Sequence, residues 1–496
     1  MSIIGAFMVP HPPIILAEVG RGEEHKIQKT LDAYMQAARE IADLDPETIV
    51  ISSPHNAMYY DYFNISGGER AYGDFSQFRA PQVSFDVKYD VQIIQSICSQ
   101  AERAHFPAGT LGTQSELDHG FMIPLYFLKR QGFTDFDTVR IGLSGMSLKD
   151  HYRLGMMVKQ AAEETGKRVV YIASGDLSHK TRAEGPYGYD PHGPEYDRRI
   201  MDVMGRAAFG ELFDFSDVFC EQAAECGHRS FVMMAGALDR TKVEAARLSH
   251  EDVFGVGYGV CTFHVTGEDP SRNFLDQQRE KEKQHLEKKK ASEDEFVRLA
   301  RASVESWVAS HQKIQVPETA SPELADSRAG AFVTLHKDSR LRGCIGTILP
   351  VRDSLAEEII ENGISACSRD PRFPGVEPSE LPELEYSVDV LGDPETITSE
   401  DQLDVKKYGV IVTKGSRRGL LLPNLDGVDT VEEQIAIAKE KAASESTNMA
   451  SSWSASRSSA ITNLQSRRTR AGKLRELRRN KPVPEAKNKN SGTFDL

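Results

Sequence analysis

The chain has 496 residues, beyond the size at which one hydrophobic core keeps growing, so at least two domains are expected. Hydrophobic residues at 39% and charged residues at 27% exclude a mostly disordered or fibrous chain, and a formal charge of −14 argues against general nucleic-acid affinity. No apolar run of about eighteen residues is present, which argues against a membrane span. The opening MSIIGAFMVPHPPIIL has no early Lys or Arg and is broken by Pro10, Pro12 and Pro13, so it does not read as a signal peptide. Six cysteines with no Cys-x-x-Cys pair suit a reducing, cytoplasmic compartment.

Short apolar runs in the first part read as buried strands. Ile3–Val9 ends at a Pro-His-Pro-Pro turn, Thr48–Ser53 at Pro54-His55, Val139–Leu143 at Ser144-Gly145, and Val169–Ala173 at Ser174-Gly175-Asp176. Between them Ile27–Leu44 and Lys149–Thr165 have helical spacing. This alternation predicts an α/β sandwich with a central sheet over residues 1–267. A turn at Gly267–Pro270 opens a polar, charged stretch, and residues 268–294 are expected to form a solvated linker helix. A second, smaller α/β domain is predicted over 295–441: helix Phe296–Val308, strand Gly330–Leu335, strand Leu384–Leu391, and a hairpin through Tyr408–Thr413 and Gly419–Leu422.

Histidines recur where strands finish. His11 and His55 follow the first two strands, His119 lies in Glu-Leu-Asp-His-Gly, and His179 in Ser-Gly-Asp-Leu-Ser-His. Loops at the carboxyl ends of strands are where ligands bind in open α/β sheets, so His11 and His55 are expected to converge. Two imidazoles with one carboxylate suit non-haem Fe(II) and oxygen chemistry, and Glu225 could supply the carboxylate. The adjacent Cys226 is the rival, since a thiolate favours a softer ion such as copper or zinc. His25, His151, His192, His250 and His285 lack such a setting.

Together, Val-Pro-His-Pro-Pro, Ser-Pro-His-Asn, Glu-Leu-Asp-His-Gly-Phe-Met-Ile-Pro-Leu and Ser-Gly-Asp-Leu-Ser-His resemble the class III extradiol ring-cleavage dioxygenases, the protocatechuate 4,5-dioxygenase catalytic-subunit superfamily, across about residues 3–266. The resemblance implies metal ligation by His11, His55 and Glu225. It implies His179 as the general base toward a catechol-type hydroxyl and His119 as a hydrogen-bond donor toward oxygen, with Fe(II), a small aromatic substrate and O2. The related Memo proteins carry Cys-Gly-x-x-P where this chain has Cys226-Gly227-His228-Arg229-Ser230, which keeps a metal-binding redox or interaction role without ring cleavage as the alternative.

Leu341-Arg342-Gly343-Cys344-Ile345-Gly346, supported by Ala366–Phe373, is similar to the signature of the AMMECR family. Cys344 has no histidine or general base beside it in sequence, so a structural role is favoured. Dioxygenase-like, Memo-like and AMMECR modules occur linked to one another and to a radical-SAM protein in prokaryotes, so a radical-SAM partner is implied. A homo-oligomer is also expected.

Residues 442–496 carry eleven basic and four acidic residues and no apolar periodicity, the composition of a disordered basic tail. Without aromatic interleaving they do not point to specific nucleic-acid binding. The AMMECR family normally closes with a helix and then a strand of Arg-Phe-Glu-Val type, missing where Ala442 begins. One set of codons that would encode Ser452–Arg457, AGC TGG AGC GCT TCG AGG, gives Leu-Glu-Arg-Phe-Glu when read from the last base of the first codon. An out-of-frame tail is the sharper expectation.

Overall fold

The β-branched and apolar runs at the start of the chain form the interior of one sheet. In the computed structural model, residues 2–470 are described except 338–339, 393–394, 398, 415–416, 424, 426 and 445–458, and the chain divides into two units, residues 1–281 and 282–496. In the first unit the strands of the main sheet are β1 (Ile3–Val9), β2 (Thr48–Ser53), β3 (Asp137–Gly142), β4 (Val169–Ser174), β5 (Thr241–Glu251) and β6 (Tyr258–Glu268). Their order is β3-β2-β4-β1-β6-β5, the first four parallel and the last two antiparallel.

Every residue of β2 and β4 is buried, as strands covered on both faces must be. The cover comes from helices α1 (Gln28–Leu44), α2 (Val91–Arg103), α3 (His119–Arg130), α4 (Leu148–Thr165), α5 (His192–Gly205) and α6 (His228–Ala237). Helices α4 and α6 cross at two glycines: a Cβ on Gly155 would meet the Met233 carbonyl at 1.9 Å, and one on Gly236 the Tyr152 carbonyl at 2.0 Å. The strand order matters for function. Because β2, β4 and β1 are neighbours running the same way, the chain leaves the sheet side by side just before His55, after Ser174 and just before His11.

The expected linker is helix α7 (Phe274–Ala291). Its first turn is packed rather than solvated: Leu275 is buried and the Phe274 ring meets Phe209 edge-on at 6.3 Å. The division between the two units falls inside this helix, after Lys281.

In the second unit, α8 (Glu295–Ser310) and α9 (Leu355–Ser368) bury Val333, Leu335 and Val388 of a sheet. Its strands are β7 (Ala331–Lys337), β8 (Arg340–Gly346), β9 (Glu385–Leu391), β10 (Glu395–Thr396), β11 (Tyr408–Lys414), β12 (Arg417–Leu421) and β13 (Ser459–Arg470), with helix α10 (Val431–Ser444) after the hairpin. The order is β8-β7-β9-β13-β11-β12, with β10 paired to β13. Part of the expected basic tail is therefore a central strand. The physical reason is the gap between β9 and β11, whose unpaired main-chain groups accept any extended segment, since ladder hydrogen bonds do not read side chains. Residues 445–458, where the out-of-frame expectation falls, lie outside the described residues.

Candidate metal centre

His11 leaves β1 through a proline-fixed turn and is buried, its backbone N–H donating to Asp176 Oδ1 at 2.8 Å. Its ring orientation follows from a relay. The Ser174 hydroxyl donates to the Gly120 carbonyl at 2.6 Å, so its oxygen is left to accept from His11 Nδ1–H at 2.9 Å. That fixes the proton on Nδ1 and leaves the Nε2 lone pair facing inward. There it meets His55 Nε2 at 3.0 Å. The His119 ring stands 5.6 Å from His11 and 4.1 Å from His55 between centroids.

One donor nitrogen from each of His11, His55 and His119 can be chosen so that all lie within 4.8 Å of one another, and this is the group of three or more potential ligands found among the described residues. The trio could hold a metal ion. Two nitrogens each about 2.1 Å from a common ion and at right angles are about 3.0 Å apart, so the His11–His55 spacing fits such a pair. Burial, followed by the neighbouring imidazoles, holds His11 well below the usual histidine range. Burial also lowers His55, and it brings His119 and His179 down to about 4. All four rings are therefore neutral at pH 7, the state a ligating or proton-accepting imidazole needs.

Asp118 positions His119. It caps α3 by accepting from Phe121 N–H at 2.9 Å, accepts from Ser53 Oγ at 2.8 Å, and forms a buried ion pair with Arg140 at 2.8 Å. Gly120 has to be glycine, because a Cβ there would meet Ser53 Oγ at 2.5 Å and His11 Nδ1 at 3.3 Å. The Asp-His-Gly sequence thus supplies a cap, an imidazole and a close backbone approach in three successive residues.

The expected third ligand, Glu225, is not part of the trio. Its carboxylate accepts from His228 N–H at 2.5 Å at the start of α6, and burial raises it to about 7. Its neighbour Cys226 is aimed the other way: Sγ lies 3.6 Å from His11 Nε2 and accepts from Asp176 N–H at 3.3 Å. Burial, then Asp176 and Glu225, push this thiol well above its ordinary value. Successive residues at a helix start project in different directions, so only one of the two could face the imidazoles. His179 is half-buried beside the trio, its ring stacked on Tyr187 at 5.1 Å.

Among the histidines without a sequence-based role, His151 is buried and bonds the Ser144 N–H and the Ser147 carbonyl, while His250 pairs with the buried Asp197 at 2.8 Å. Sequence reasoning missed Ser174, Asp176 and Asp118 as supporting residues. Their signal lay inside the two motifs, each within five positions of a singled-out histidine.

Residues 5–261 match the family model described as the catalytic LigB subunit of aromatic ring-opening dioxygenase. The chain belongs to the LigB family. Residues 297–460 match the AMMECR1 model, so the LigB domain is joined to an AMMECR1 domain. Protein CA_C1420 of Clostridium acetobutylicum is 42% identical over 451 residues, covering 89% of this chain and 96% of that protein. A Thermotoga maritima protein is 54% identical over 151 residues, 30% of this chain and 87% of that one. The crystal structure of PH0010 from Pyrococcus horikoshii shares 31% identity over 35% of this chain and 88% of that one, with a TM-score of 0.30. No helix among the described residues is long and apolar enough to cross a membrane.

In the AMMECR1 domain the two signature stretches meet at Cys344. Its N–H donates to Asp370 Oδ2 at 2.9 Å, its carbonyl accepts from Arg372 at 3.0 Å, and its Sγ accepts from Thr334 Oγ1 at 3.2 Å. Burial raises the thiol above its ordinary value, in keeping with the structural role expected for it.

Proposed function

We propose that the LigB domain is a non-haem Fe(II)-dependent, extradiol-type dioxygenase acting on a catechol-like aromatic. The observation that carries this reading is the convergence of His11, His55 and His119 beside a fourth neutral imidazole, His179. In this reading the three converging imidazoles hold the ion, with His119 where Glu225 was expected. Fe(II) bound there would supply a centre that brings an aromatic diol and O2 together and spreads the charge of their reaction.

The chain's own residues do the rest. Ser174 keeps the His11 lone pair directed inward, and Asp176 fixes the backbone on which that ring is carried. His179 is held neutral by burial, so a ring nitrogen can take the substrate's hydroxyl proton; the oxyanion forming beside it raises its hold on that proton. Phe78, edge-on to His119 at 5.4 Å, and Tyr187 over His179 give the site aromatic walls suited to a planar ring. O2 and a small aromatic are the reactants of this reading, and a radical-SAM protein and further copies of the chain its proposed partners.

A second reading is favoured by one contact, Cys226 Sγ at 3.6 Å from His11 Nε2. With that thiol as ligand the domain would be a Memo-like protein holding a softer ion, copper or zinc, for redox or interaction purposes without ring cleavage. Anaerobic loading with Fe(II), followed by oxygen uptake on a panel of catechols, separates the two. Ring cleavage gives a yellow product that disappears in His179→Ala. Metal retention without turnover, lost in Cys226→Ala but kept in Glu225→Ala, supports the second reading, and failure to bind any metal refutes both.

A further inference from the structure

His179 is held unlike a typical catalytic histidine. Such a residue usually donates one ring N–H to a carboxylate or carbonyl that fixes its plane. Among the described residues nothing hydrogen-bonds either ring nitrogen of His179, and the ring contact it makes is with Tyr187, 5.1 Å between centroids and 27° between planes.

The backbone on both sides is pinned. Ser178 N–H donates to Asp197 Oδ1 at 2.9 Å, Ser178 Oγ donates to the Ala223 carbonyl at 2.7 Å, and Thr181 N–H donates to the Gly255 carbonyl at 3.2 Å. Only the side-chain torsions of His179 remain to be set.

Tyr187 is delivered by a closed loop. Thr181 and Tyr189 form an antiparallel bridge, Asp190 N–H donates to the Lys180 carbonyl at 3.1 Å, and Gly188 N–H to the Gly185 carbonyl at 3.2 Å. Gly188 sits at φ +72°, a left-handed conformation that glycine adopts without strain. Tyr187 is 61% exposed, so it is no part of the hydrophobic core, and its ring is stacked on the imidazole.

We propose that Tyr187 is the positioning residue for His179, its stacked ring fixing the imidazole plane while leaving both ring nitrogens open to substrate. This rests on the reading of His179 as the base of the LigB domain. A stacked aromatic pair at this separation is one of the favoured arrangements, and it restricts rotation without consuming a donor or acceptor. The ring, not the hydroxyl, does the holding.

Two measurements on the full chain test this and fail independently. The first needs no turnover: side-chain NMR of His179, with its rate of carbethoxylation by diethyl pyrocarbonate. Tyr187→Ala should abolish the ring-current displacement of the His179 ring protons and raise the modification rate several-fold, while Tyr187→Phe leaves both as in the wild type. The second is turnover of the Fe(II)-loaded protein on a catechol. Tyr187→Ala should lower kcat about tenfold, a fraction of the roughly 10²–10⁴ that a positioned base contributes, with metal affinity and Tm unchanged and Tyr187→Phe restoring the rate. Unchanged His179 shifts and reactivity in Tyr187→Ala overturn the positioning role. Altered shifts in a protein whose wild type never turns over catechol leave Tyr187 as the orienter and sink the dioxygenase reading instead.

Discussion

Replacing Ser174 with alanine deletes one buried oxygen and strands two groups at once, the Nδ1–H of His11 and the carbonyl of Gly120. Each unsatisfied buried group costs about 1–3 kcal/mol, so with partial relaxation a stability loss of about 2–4 kcal/mol is expected. The more telling effect is on the metal. Without its acceptor the imidazole can shift its proton to Nε2, the atom that faces His55 at 3.0 Å, and loss of such a supporting hydrogen bond typically weakens metal binding about 10–100-fold. That corresponds to about 1.4–2.7 kcal/mol of binding free energy. Competition of Zn(II) or anaerobic Fe(II) against a chromophoric chelator measures the affinity, and urea unfolding the stability. Ser230→Ala is the control: its hydroxyl is equally buried and bonds Ser52 Oγ at 2.6 Å, so it should lose stability without losing metal. Metal affinity within twofold of wild type in Ser174→Ala refutes the relay, whatever happens to stability.

Gly120→Ala should weaken metal binding and lower Tm together, because the added methyl would collide with Ser53 Oγ and crowd His11 Nδ1; a variant with normal affinity and Tm contradicts the close approach. For pH, His228 is buried with its value brought down to about 4, against about 6.5 in an unfolded chain. Its contribution to stability is present above about 6.5 and is lost as pH falls toward 4, where the unfolded chain takes a proton the folded ring refuses, up to about 3 kcal/mol. Asp176 and Glu225, raised to about 7 by burial, titrate with the opposite sign over an overlapping window. The quantity to measure is therefore the difference in unfolding free energy between wild type and His228→Asn, which should shrink on acidification; a difference independent of pH counts against the assignment. Finally, sequencing the coding DNA across residues 442–460 should reveal Leu-Glu-Arg-Phe-Glu in an adjacent frame, and its absence from every frame removes the out-of-frame proposal.

The strands that carry the site were legible because buried parallel strands must be continuously apolar, so Ile3–Val9 and Thr48–Ser53 stand out against their proline-histidine ends. The first turn of α7 was misread as solvated because two apolar residues, Phe274 and Leu275, are too few to show as a periodic face. Strand β13 was unreadable for a different reason, since its position is set by the gap between β9 and β11 rather than by its own residues.

By itself, the sequence determined that histidines follow the ends of apolar strands, and hence that His11 and His55 were expected to converge at the carboxyl edge of one sheet. Which neighbour of the Glu225-Cys226 pair turns toward them could not be read there, because adjacent residues at a helix start differ in direction and only the packed backbone fixes that direction. The same holds for the proton on His11 and the plane of His179. Both are settled by single groups, Ser174 and Tyr187, that lie far along the chain or across a loop, and only the folded arrangement brings them within reach.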